Sequence, residues 1–505
     1  MKALKIYIVS LIASVSLFSC NEDIIDITPI ENNTSNSFYA NEIEVNQAAI
    51  GIYARLGRNG TNTDFATDYF WLASENRSDL LYIAAETSAQ NDQLELRKYL
   101  ISANAGTVSA IFARLYAIIK EANSLLARTN EGEYIRYRAE ARFLRAYAYS
   151  ELARSFGPVG LVTAPIENTE AVKLPRESLD KIYAQVISDL EYAAANLPNF
   201  YTGAQAGRAG SVAAKTLLGQ VYMTMGGYPL NDATAYAKAE TVLSGIISEV
   251  DGRFAPDYSK LFILSEENKH DIFSIQFSSG NNGTGSSLPG YITSSSSSGS
   301  PFPEWTYSSY NTQGQDMRLD SVLIREMKTN KDKRLAVSID TGFWSSTNVT
   351  TRTWVAKNII TKFLEKDNSN TLIKAWNDFP RNFPILRDAD AYLLYAEALV
   401  RNGKADLAKP FVDKIRTRGG LPSLAVAPTL DDIKRERKYE FIGEGRRYFD
   451  LVRWGETEAV NTLAAFTAHY HANTTGQAPT KKDLLLPIPF NELKTRTNWE
   501  QNFGY

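Results

Sequence analysis

Apolar residues recur at helical spacing over several long stretches of this chain, and the spacing predicts amphipathic helices. Between Val108 and Leu126, the positions Ile111, Leu115, Ile118, Ile119, Ala122 and Leu126 share one face, because residues three and four apart are neighbours on an α-helix. The run from Tyr134 to Phe156 repeats the pattern with Ala139, Phe143, Ala146 and Tyr147. A helix over Tyr236 to Ile247 follows the Gly226-Gly227 turn. Ala391 to Val400, the turn Asn402-Gly403 and Ala405 to Arg416 give another helix, turn and helix. From 271 to 380 the pattern changes. Phe273, Ile275 and Phe277 alternate with Ser274 and Gln276, and Leu335, Val337 and Ile339 alternate with Ala336 and Ser338, which is the two-residue period of strands. The Gly/Asn/Ser tract 278–290 and the serine-rich run Thr293 to Ser300 read as mobile loops. The expectation is a helical scaffold interrupted over 271–380 by a loop-rich insertion containing short strands.

Composition narrows the function. With 44% hydrophobic and 22% charged residues the chain has the material for a large core. Its 505 residues fit one long helical-repeat unit as well as several average domains, so length leaves domain count open. Lys plus Arg number 54 against 57 Asp plus Glu, so no global field draws in nucleic acid and a ligand must be recognised locally. The aromatic set favours Tyr, 27 against 7 Trp, and a ring with a polar tip suits a wet recognition surface.

The N-terminus reads as an export signal. Lys2 and Lys5 precede an apolar run from Ile6 to Phe18, which falls short of the ~20 residues a membrane-spanning helix needs. Cys20 is the only cysteine, so no intramolecular disulfide forms. Leu17-Phe18-Ser19-Cys20 resembles the lipobox of bacterial lipoproteins, with Phe18 bulkier than is usual. The resemblance implies a signal peptide over 1–19, lipidation at Cys20 and a polar tether over 20–36. A diacylated cysteine with an N-linked chain exceeds the two signals that stable anchoring requires. Asn21-Glu22-Asp23 resembles the acidic tract that marks surface export in some bacteria.

Leu218-Gly219-Gln220-Val221-Tyr222 fits the L-G-x-x-Y core of a tetratricopeptide repeat, although Lys215 stands where that consensus has Trp. The most specific stretch is Arg435 to Gly455, RERKYEFIGEGRRYFDLVRWG. It reads as a helix dense in Glu and Arg, with Arg437, Glu440, Glu444, Arg447, Asp450 and Arg453 spaced to pair within the helix or with its neighbours. So many arginines favour ionised, structural acids over acid/base work by Glu440 and Glu444. This stretch resembles the C-terminal motif of the SusD/RagB family. So do RAEARFLRAYAYSELARSFGPVGLVT (138–163), SVAAKTLLGQVYM (211–223), AYLLYAEALVRNGKADLA (391–408), IRTRGGLP (415–422), LLPIP (485–489) and the ending Gln501-Asn502-Phe503-Gly504-Tyr505, where Phe503 replaces the family's proline. The resemblance implies an all-α, SusD-like body of tetratricopeptide-repeat-like helix pairs over 37–505. It further implies a non-catalytic, cofactor-free lipoprotein on the extracellular side of the outer membrane. Such a protein binds oligosaccharides and delivers them to a SusC-like TonB-dependent transporter. RagB-like members take peptides instead.

Ligand residues are not carried by these motifs, so they are sought from physics. Sugars present flat C–H faces ringed by hydroxyls, which exposed aromatic rings and amide, carboxylate or guanidinium groups hold. Asp68 to Tyr82 offers Trp71, Asn76, Arg77, Asp79 and Tyr82, and Pro301 to Tyr310 offers Trp305, Tyr307 and Tyr310; Trp344 and Trp376 are further candidates. Enzyme readings find less. His469-x-His471 has no H-E-x-x-H or cysteine beside it, Ser286-Ser287 follows Gly280 and Gly285 where a phosphate loop has Lys and then Ser or Thr, and there is no G-x-S-x-G elbow. A glycoside hydrolase needs only two carboxylates placed in space and stays as the competing class.

Overall fold

Helices form where the apolar spacing places them, and most pack on the next. In this computed structural model the described residues are 38–58, 63–85, 91–292, 316–344, 350–351, 353–364, 375–471 and 477–505. The long helices are α1 (Glu42–Ala54), α2 (Gly106–Arg128), α3 (Ile135–Phe156), α4 (Leu179–Asn196), α5 (Ser211–Met225), α6 (Ala235–Ser244), α7 (Asp388–Arg401), α8 (Ala405–Arg418), α9 (Leu430–Glu440), α10 (Arg447–Trp454) and α11 (Glu456–His471). Consecutive helices from α2 to α6 pack pairwise, and α7 joins α6 to α8 and α9. The body is all-α, as expected. No helix among the described residues is long and apolar enough to cross a membrane.

α3 is buried nearly all round, so its charged side chains must be satisfied inside. Arg145 makes a fork to Asp189 of α4 (2.8 and 2.7 Å), and Glu140 accepts from Arg208 (2.8 Å). In α5 the small residue of the repeat core is used as expected, because a side chain at Gly219 would collide with Leu243 of α6.

The stretch 435–455 is two helices rather than one. α9 stops at Glu440 and α10 starts at Arg447, with Gly443 and Gly445 between them at φ +79° and +67°, a conformation that costs glycine little and other residues more. The turn drives Glu440 and Glu444 into the interior. Glu440 accepts from Arg387 (2.6 Å), Arg418 (2.6 Å) and Arg334 (3.0 Å). Glu444 accepts from Lys362 (2.6 Å) and Arg387 (2.8 Å), and Glu436 accepts from Arg334 (2.6 Å). Burial raises the pKa of Glu440, but the guanidiniums of Arg418, Arg387 and Arg334 outweigh it and hold the carboxyl well below the usual range. Glu444 is likewise held low by Arg387 and Lys362 against the cost of burial. Three partners expected of the motif also form: Arg437 and Arg453 flank Asp450 (2.7 and 2.8 Å), and Arg447 reaches Asp79 (2.7 Å).

Glu75 is held differently from Glu440 and Glu444. It accepts the backbone N–H groups of Gly443 (2.7 Å) and Gly445 (2.9 Å), yet burial outweighs those bonds and pushes its pKa from 4.5 up to about 7. Within that window the folded protein binds more protons than the unfolded chain, so its stability falls as pH rises. Gln at 75 does not titrate. The destabilisation by Glu75→Gln relative to wild type, read from urea midpoints, is therefore expected to shrink by about 1–3 kcal/mol between about pH 5 and about pH 8. A gap constant with pH would contradict this assignment.

Six strands form three two-stranded antiparallel sheets among the described residues: β1 (Leu81–Ala85) with β3 (Asp316–Leu319), β2 (Asp271–Ile275) with β6 (Phe383–Arg387), and β4 (Ile339–Trp344) with β5 (Trp354–Ile360). Phe273 and Ile275 lie in a strand as expected. The alternation Leu335–Ile339 does not: Arg334–Ser338 is a helical turn and β4 begins only at Ile339. Asp332 holds that turn, accepting from the backbone N–H of Arg334 (2.9 Å) and pairing with its guanidinium (2.6 Å), and this local bond outweighs a five-residue period.

Candidate ligand-binding face

Trp354 and Trp376 of the insertion are partly exposed aromatic rings, and rings of that kind also lie on the helical layers, at Tyr192, Tyr236 and Tyr395 among others. Residues 278–292 are pinned at two points. Asp64, fully buried, accepts from the backbone N–H (2.6 Å) and hydroxyl (3.0 Å) of Ser287 and from the hydroxyl of Ser286 (3.1 Å). Asp378 accepts from the backbone N–H groups of Gly280 (3.0 Å) and Asn281 (2.9 Å), and Ser286 bridges Phe379 through paired backbone bonds (2.7 and 3.1 Å). The glycines allow close approach, since a side chain at Gly285 would run into Asp378 and one at Gly290 into Trp376. The Gly/Asn/Ser tract, expected to be a mobile loop, is thus a bonded element whose small residues permit backbone-to-backbone packing.

This packing sets Trp376, half-buried, edge-on against Tyr291 at 5.7 Å and 61°. Arg58 donates to the carbonyl of the adjacent Asn377 (2.8 Å). Nearby in sequence to Asp64, Asp68 pairs with Arg114 (3.4 Å); burial, only partly offset by that cation, raises its carboxyl to about 6. A second aromatic surface lies on the β1–β3 ribbon. Tyr82, opposite Arg318 in register, stacks on Tyr470 of α11 at 4.1 Å and 10°. The Tyr470 hydroxyl donates to Asp320 (2.6 Å) and accepts from the Ser321 backbone (2.9 Å), which fixes the ring. At the start of β5, Trp354 is 44% exposed, with Trp344 as its Cα partner across the ribbon. Half-exposed rings held rigidly beside amide and carbonyl groups suit a neutral polyhydroxylated ligand.

The sequence-predicted residues separate into three sets. Trp376 and Tyr82 are on these surfaces, and Trp344 is on the β4 strand. Trp71, Asn76 and Arg77 are corrections: they are 1%, 0% and 2% exposed and have no surface to offer a sugar. Trp71 lies in a π-helical turn over 66–74 that is buried throughout. Asn76 donates to the carbonyl of Gln93 (2.7 Å), and Arg77 donates to the Tyr448 hydroxyl (2.6 Å) and lies 4.2 Å over that ring. Asp79 is engaged by Arg447. The segment 68–82 mixes aromatic and polar residues because it threads the interior and satisfies its polar groups there. Trp305, Tyr307 and Tyr310, like Cys20, lie outside the described residues.

Sequence reasoning missed the partly exposed Trp354 and Tyr470; Tyr291, only 6% exposed, backs Trp376 from beneath. For Trp354 a signal existed: Trp344 and Trp354 flank a Ser/Thr/Asn-rich run, the mark of a hairpin that pairs them. Glu440 and Glu444, the acids considered for catalysis, are buried and ionised among arginines, remote in character from a water-accessible acid/base pair.

Residues 263–505 match the model of the SusD family, and residues 28–223 match a family described as starch-binding, associating with the outer membrane. Over 95% of its length this chain is 26% identical to 94% of a SusD-like protein of Formosa agariphila. It is 24% identical to the starch-binding protein SusD of Bacteroides thetaiotaomicron, over 98% of this chain and 97% of that one. Its fold is similar to that of a surface glycan-binding protein A from Bacteroides thetaiotaomicron solved in complex with laminarihexaose, with a TM-score of 0.76 at 20% identity over 91% of this chain and 99% of the other.

Proposed function

The chain belongs to the SusD/RagB family, and from that membership we propose that it binds a neutral oligosaccharide at the cell surface without cleaving it and passes it to a SusC-like TonB-dependent transporter in the outer membrane. The observation that carries the reading is the pinned Trp376–Tyr291 pair on an insertion whose remaining aromatic candidates, Trp305, Tyr307 and Trp344, come from the same part of the chain. Trp376 is the primary platform and Tyr82 with Tyr470 a second contact. Lipidation of Cys20 holds the body at the membrane, with 20–36 as its tether.

The test is calorimetry of the purified protein with laminarihexaose, with starch-derived and plant oligosaccharides, and with a peptide pool. Saturable glycan binding is expected, weakened about 10-fold or more by Trp376→Ala, the factor that loss of about 1.4 kcal/mol produces. The sugar is expected to be recovered intact after prolonged incubation. Binding of peptides alone moves the protein to the RagB-like branch, and shortened sugar products would return it to the hydrolases.

A further inference from the structure

Asp64 lies outside the insertion and yet holds it. The residue enters the π-helical turn after α1, and bonds on either side root it in the helical scaffold. Arg114 of α2 donates to the carbonyls of Gly57 (2.6 Å) and Thr63 (3.3 Å). The backbone N–H of Phe65 donates to the carbonyl of Leu56 (3.2 Å), and the buried Phe65 ring stacks on Tyr69 at 4.9 Å. A carboxyl group buried this completely is costly unless hydrogen bonds replace its water. The bonds that satisfy it divide between its two oxygens. Oδ1 accepts from the backbone N–H of Thr67 (2.9 Å), within the scaffold, while Oδ2 takes the N–H and hydroxyl of Ser287 and the hydroxyl of Ser286, all from the insertion. The backbone N–H of Asp64 in turn donates to the Ser287 hydroxyl (3.1 Å).

From these serines the hold passes to Trp376 along two routes. The carbonyl of Ser287 accepts from the backbone N–H of Tyr291 (3.2 Å), whose ring meets Trp376 at 5.7 Å. Ser286 pairs through its backbone with Phe379, on the same short segment as Trp376. We infer that Asp64 is a positioning residue for the oligosaccharide platform: it is 0% exposed and cannot touch a sugar, and it fixes where the Trp376 ring stands. The inference rests on the reading of Trp376 as that platform. Asp64→Asn is the discriminating change, because it keeps the volume but leaves a single acceptor oxygen. Whichever way the amide turns, its NH2 faces either the donors of Ser286 and Ser287 or the N–H of Thr67.

The test labels the purified protein with 5-fluorotryptophan and follows its seven tryptophans by fluorine NMR, with the lines of Trp376 and Trp454 identified by their loss in Trp376→Phe and Trp454→Phe. Asp64→Asn is expected to move the Trp376 line and leave that of Trp454, on α10, in place. It is also expected to weaken oligosaccharide binding about 10-fold in the wild-type background and not at all beside Trp376→Ala. A substitution that only destabilised the fold would weaken both backgrounds alike. Ser287→Ala removes one hydroxyl and is expected to move the same line by less, so the test stands if Asp64→Asn does not fold. An unmoved Trp376 line, or an affinity loss that persists beside Trp376→Ala, overturns the inference. A moved line in a protein whose wild type binds no sugar overturns the glycan reading instead and leaves Asp64 as the anchor of Trp376.

Discussion

Glu440→Gln is expected to destabilise the body by about 3–5 kcal/mol, the range for removing one partner from a buried ion pair. The substitution is nearly isosteric, so the loss is not one of packing. It removes the charge that Arg334, Arg387 and Arg418 share, and leaves three guanidiniums in an interior where the side chains of all four residues are at most 1% exposed. Because the Glu440 carboxyl sits well below its ordinary pKa, its contribution is present above the unfolded pKa and is lost as pH falls through the folded one. The variant and wild type should therefore differ most at neutral pH and converge in strong acid. Urea denaturation followed by circular dichroism reads both. A midpoint unmoved at neutral pH would mean that the cluster is neutralised by protons rather than by its arginines.

Trp71→Ala is expected to cost a similar amount, about 3–5 kcal/mol, through the cavity left by a large buried ring. Trp71 is among the largest fully buried side chains, and the π-helical turn that carries it is buried at every residue. The same variant is expected to leave oligosaccharide affinity unchanged in the fraction that folds, which separates it from Trp376→Ala. Lowered thermal stability with intact binding is the predicted pair of results. Lost binding at full stability would place Trp71 at the ligand after all.

The scaffold was legible because its helices obey a local rule. α2, α3, α7 and α8 lie within a few residues of where apolar spacing puts them, and Gly219 sits against Leu243 as the repeat core requires. What misled was composition without depth. DYFWLASENRSDLLY has the residues of a binding surface, but an interior segment that must satisfy its own polar groups looks the same in sequence. Only the fold reveals that Asn76 and Arg77 are engaged by Gln93 and Tyr448. Gly443 and Gly445 divide 435–455 into two helices, where the Glu/Arg spacing alone predicts one. The Tyr82–Tyr470 stack joins residues 388 positions apart, by number, and no local pattern foretells such a pair.

The bond between Glu75 and the turn at Gly443 spans 368 residues, and the pairs that Arg334 and Lys362 make with Glu440 and Glu444 span 106 and 82. Closing loops of that length costs entropy before any contact rewards it. Glu75, made early in synthesis, is thus an acid whose partners arrive almost last. The order of synthesis is therefore not the order of assembly: the helical layers zip locally, and the charged centre locks only once nearly the whole chain is present.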